Sequence, residues 1–156
     1  MTKLVFDEDR DLPLSQPSGF VKLAAALCLV GALLGGSGAI QLALVLERAI
    51  DPPVFIPIAV YGGVFVAPLL GVVGLKLFRL ASWAPVAAIA VGSVGTLLGL
   101  GQLAFMFRFR FMLCLGVVGP ATLCFATLAS VLAYRSAEAS IAARERLSDA
   151  GIELGV

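Results

Sequence analysis

The side chains able to do chemistry in this sequence are few, and they stand far apart. Gln41 and Gln102 are hydrogen-bonding amides inside long apolar runs, and Glu47 is the nearest carboxylate to such a run. Ser93 and Thr96 add hydroxyls, and Cys28, Cys114 and Cys124 add thiols. A buried amide needs partners, so Gln41 and Gln102 either bond between helices or line a polar path. A carboxylate at mid-depth would relay protons or ions, but Glu47 stands at the end of its run. The sequence holds no Ser–Lys, Ser–His or H-E-x-x-H pattern, no clustered Asp and no G-x-x-x-x-G-K-[ST] loop. His is absent, which removes the commonest general base and the usual zinc and haem ligand. The cysteines form no C-x-x-C pair. Cys114 and Cys124 fall on one expected helix, about 15 Å apart along its axis, and cannot bridge each other there. They read as small buried apolar side chains. The expectation is a non-enzyme without metal or cofactor.

The elements that position these groups are apolar throughout. The 156 residues are 60% hydrophobic and 13% charged, where a soluble domain carries about 25% charged residues. Such an excess calls for an apolar solvent. Four runs, at about 20–46, 54–78, 83–107 and 110–134, each exceed the roughly 20 residues that cross a hydrocarbon core. They carry no charge deep inside; Lys22 and Lys76 lie near ends and can snorkel. The first run is too long, and its leader too acidic, for a cleaved signal peptide. The fold class expected is an all-α integral membrane protein, a four-transmembrane-helix antiparallel bundle. Residues 1–19 and 135–156 form tails. The second tail prolongs the fourth helix as a solvated stalk or a weak docking surface, with a thin apolar face, Ile141 and Leu147.

Lys and Arg set the orientation. With both termini on one side, that side holds eight of the eleven basic residues, and the other holds Arg48, Arg108 and Arg110. Both termini are therefore expected in the cytoplasm of a cell bounded by this plasma or inner membrane. The stretch "FMFRFRFM" at 105–112 alternates like a strand, but a lone strand at the membrane edge leaves its ladder unpaired. It reads instead as a helical hairpin turn, with Arg108 and Arg110 as lipid headgroup anchors. A net charge of +1 gives no nucleic-acid signal.

Small residues mark where helices can touch. Gly31 with Gly35, and Gly95 with Gly99, form G-x-x-x-G pairs for helix packing, within the chain or against another chain. Gly31, Gly38 and "QLA" at 41–43 recur 61 positions on as Gly92, Gly99 and "QLA" at 102–104, a faint repeat. Pro68 and Gly119–Pro120 should kink the second and fourth spans, with Thr122, Thr127 and Ser130 available to the freed carbonyls. Ser82 is the expected N-cap of the third span.

Two functions follow as expectations. One is a non-catalytic accessory or scaffold subunit in the bilayer, packing against another membrane protein or against copies of itself. The alternative is a small transporter or channel-forming protein, its path lined by Gln41, Ser93, Thr96 and Gln102 between kinked spans. Convergence of these polar groups on a wet cavity favours the second; pairing in a dry interior, with an exposed glycine seam, favours the first.

Overall fold

A computed structural model describes residues 13–48, 52–109 and 114–149, without the side chains of 105, 108, 109 and 114–116. Within it the chain is all helix, with no strand among the described residues. The four helices are α1 (Gly19–Leu46), α2 (Phe55–Phe78), α3 (Ala84–Phe109) and α4 (Cys114–Asp149), and all four are long and apolar enough to cross a membrane. This is a multi-pass membrane protein by length and composition.

Local chemistry sets the helix ends. Ser18 caps α1, its side chain accepting from the Val21 N–H at 3.4 Å. Pro52 and Pro53 precede α2, whose first turn closes with Ile56 N–H on the Pro53 carbonyl at 2.9 Å. At the far end of α2, Leu80 adopts a left-handed backbone with φ 56°. Leu80 N–H bonds the Leu77 carbonyl and Ala81 N–H the Lys76 carbonyl, which is the paired pattern of a Schellman stop. Glycine usually fills that position, because a side chain there costs about 1–2 kcal/mol. Leu80 offsets the strain by burial in the core, at 5% exposure. Ser82 is exposed, and its side chain makes no hydrogen bond among the described residues, so it does not cap α3. The helix starts two residues later, with Ala84 N–H on the Ala81 carbonyl and Ala87 N–H on that of Trp83. Phe105–Phe109, the first half of the alternating stretch, is helical.

The helices form a ring. α1 and α3 each pack against α2 and α4, α1 and α3 meet lightly across the centre, and α2 and α4 do not come together. Apolar side chains surround the helices: Leu33, Phe65, Leu97 and Leu132, one from each, are all about 70% exposed or more. A helix apolar on every side needs lipid or protein around it. Inside, the larger of the two buried clusters is built mostly of Ala with a few Leu and Val, running from Val21 and Leu77 to Leu123 and Ala126. The smaller one joins Leu42, Leu46, Ile56, Val60 and Met106.

Small cores of this kind demand close backbones, and two positions show it. A Cβ on Gly119 would meet the Gly35 Cα and Leu34 carbonyl at 3.3 Å, so α4 lies directly on α1. A Cβ on Gly101 would meet the Ala59 Cβ at 2.6 Å, so α3 lies as closely on α2.

α4 continues well past Tyr134, and of the two readings of its extension, stalk or docking surface, the structure shows a docked one. Ala137, Ser140, Ala143 and Leu147 are all buried, at three- and four-residue spacing. Ser136 Oγ donates to Ser18 Oγ at 2.6 Å, and Ser140 Oγ to the Gln16 carbonyl at 3.3 Å. Arg144 donates to the Ser15 carbonyl at 2.8 Å and to the Arg79 carbonyl at 3.1 Å. One guanidinium thus ties the segment before α1 to the end of α2. The apolar face is thin, as its sequence shows, but small residues let other backbone come close enough to bond.

Candidate functional site

Three separate groups of polar side chains lie between the spans, while Ser37 bonds only within α1, to the Leu34 carbonyl. The first is Gln102, which is 3% exposed. Its Nε2 donates to the Ala59 carbonyl of α2 at 3.1 Å. Gly63 makes room for that amide: a Cβ there would collide with Gln102 Nε2. Gln41, by contrast, is half-buried and has no hydrogen-bond partner among the described residues. The two amides are not brought together.

The second group joins α3 to α4. Thr127 Oγ1 donates to the Leu123 carbonyl at 2.9 Å, and Thr96 Oγ1 contacts the Gly92 carbonyl at 2.9 Å and Thr127 Oγ1 at 3.2 Å. Thr96 Oγ1 is the donor to the Gly92 carbonyl, and in its contact with Thr127 either hydroxyl can donate. Gly92 admits this pair, since a Cβ there would meet Thr127 Oγ1 at 2.6 Å. Ser93, one residue on, is exposed on the outer surface of α3 and lines no interior path.

The third group joins α1 to α4. Ser130 Oγ donates to the Ala126 carbonyl at 2.7 Å, so its proton is spent. Cys28 Sγ, 3.8 Å away, is then the donor to Ser130 Oγ. Thr122 Oγ1 donates to the Gly119 carbonyl at 2.7 Å. Thr122, Thr127 and Ser130 all bond back along their own helix, but none reaches the carbonyl four residues before Pro120.

At the centre of the ring, Leu123 of α4 fills a hollow made by glycines. Cβ atoms on Gly31, Gly35 or Gly95 would each meet its terminal carbons at 3.3–3.4 Å. Gly99 faces Pro120 of α4, with a Cβ contact of 3.0 Å. All four glycines of the two G-x-x-x-G pairs therefore turn toward α4 within this chain. The space left beside Leu123, Gly63, Val66 and Gln102 is a cavity of about 10 Å³, which is at or below the room one water needs. Every buried side-chain N or O atom described has a hydrogen-bond partner.

Glu47 is exposed at the end of α1, and its side chain makes no hydrogen bond or ion pair among the described residues. The side chains of Arg108 and Arg110 lie outside those described. No three His, Cys, Asp or Glu side chains come together among the described residues. Set against protein families, characterised proteins and solved structures, the chain matches none.

Sequence reasoning missed Leu123 and Arg144. Nothing marks Leu123 among the many leucines. Arg144 had a signal: it sits beside Ser140 and Ala143 in a run of small residues, on the face that could accept a neighbouring backbone.

Proposed function

We propose that this protein is a non-catalytic membrane subunit, an antiparallel four-span bundle with both termini in the cytoplasm. It acts by helix packing with a partner membrane protein or with itself. The closed interior carries this proposal. A conduit needs a continuous polar or wet path, whereas Gln102 and the Thr96–Thr127 pair are bonded in separate places, and the cavity beside Gln102 and Leu123 holds only about 10 Å³. The antiparallel order is supported by contacts such as Gly36 with Ala67 and Gly74 with Cys28, which run in opposite senses along α1 and α2. The distribution of Lys and Arg supports the cytoplasmic placement. Because the glycine pairs are occupied within the chain, a partner would meet the bulky outer faces or the α4 extension.

Two measurements test the proposal together. Light scattering of protein extracted in mild detergent should give a mass above the monomer, from self-association or from a stable membrane partner. Liposomes holding the purified protein should release ions and small solutes no faster than empty ones. A strict monomer with solute flux above the empty control contradicts it.

A further inference from the structure

A groove of about 420 Å³ runs along the outer seam between α3 and α4, lined by Ile89, Val131, Leu132, Tyr134 and Arg135. It is as large as many small-ligand sites, which span about 300–1,000 Å³. Its wall is aliphatic, and its mouth is polar. Arg135 is exposed and has no hydrogen bond or ion pair among the described residues, in contrast to Arg144, which is spent on two carbonyls. Beside it on the same helix, Glu138 lies one turn beyond Tyr134 and is itself exposed. The groove therefore carries a cation in its lining, with an exposed anion three residues further along the same helix. Trp83, about half exposed just before α3, belongs to the kind of aromatic belt that lies at headgroup level.

We propose that this groove holds one zwitterionic aminophospholipid from the surrounding leaflet. An acyl chain lies along Ile89, Val131 and Leu132, the phosphate meets the Arg135 guanidinium, and the primary ammonium meets Glu138. The charge pattern selects this headgroup. A glycerol headgroup brings no cation to Glu138, and a choline has no N–H to donate to it. The site rests on the membrane placement proposed above.

The experiment is native mass spectrometry of the purified protein in detergent with equal amounts of phosphatidylethanolamine, phosphatidylcholine and phosphatidylglycerol. One lipid should be retained, with phosphatidylethanolamine preferred. Loss of the charged contact in Arg135→Gln should lower that retention about tenfold. Glu138→Gln should keep a bound lipid but lose the preference among headgroups. Both positions are exposed, so thermal unfolding should match the parent and certify the fold. Equal retention of the three lipids, preference for phosphatidylglycerol, or unchanged binding in Arg135→Gln overturns the site. Reporters fused to the two termini read the topology separately, so failure of the lipid site is distinguishable from failure of the membrane placement.

Discussion

α1 and α3 carry the same sequence device and use it differently. Each has a G-x-x-x-G pair followed by a glutamine, six residues after Gly35 in α1 and three after Gly99 in α3. In α1, 44% of the most apolar window is buried; in α3 the share is 28%. α1 is the more enclosed helix, yet its Gln41 is half-buried and unbonded, while Gln102 of the more exposed α3 is sealed and bonded to Ala59. The difference lies in the neighbour. Gln102 faces α2 where Gly63 leaves room for an amide, and nothing in the described structure offers Gln41 a carbonyl. A polar residue in a membrane helix is fixed by the free volume opposite it more than by its own helix's pattern.

Substitutions can break or sharpen this comparison, and unfolding in mild detergent reads them. The largest effect should come from Leu123→Ala, because Leu123 serves the glycines of both helices at once. Its loss should cost about 2–5 kcal/mol through the cavity left behind. A change within about 0.5 kcal/mol would mean that α1 and α3 do not share this knob. Next, Gly101→Ala should cost about 1–3 kcal/mol, since its Cβ would meet another fixed Cβ and the backbones must separate. Full tolerance would show that α2 and α3 are less closely apposed. Gln102→Leu should cost about 1 kcal/mol for the interhelical bond, the usual scale in membranes. Gln41→Leu should stay within about 0.5 kcal/mol. Equal costs at the two glutamines would erase the contrast between the helices.

The span positions were plain in the sequence because each apolar run exceeds the bilayer and Pro52–Pro53 interrupts the first two. The faces were not. Apolar side chains surround every span, so no stripe says which side turns inward, and Ser93 and Thr96 look equivalent until the helix is placed. Thr96 turns to α4 and Ser93 turns out. The stop of α2 was hidden for another reason: its left-handed residue is Leu80, where glycine would have advertised the turn. The docking of the α4 extension depends on backbone carbonyls at Ser15, Gln16 and Arg79, and side-chain types do not mark which carbonyls are free.

The central claim is a dry interior, and thiol labelling at Thr96 tests it most directly. With Cys28, Cys114 and Cys124 replaced by alanine, Thr96→Cys is compared with Ser82→Cys on the exposed turn, using a charged reagent that does not cross membranes. The thiol at position 82 should react readily from one face, and the thiol at position 96 should stay unreacted from both. Labelling at position 96 at a rate near that of position 82 would place water between α3 and α4 and contradict the closed interior.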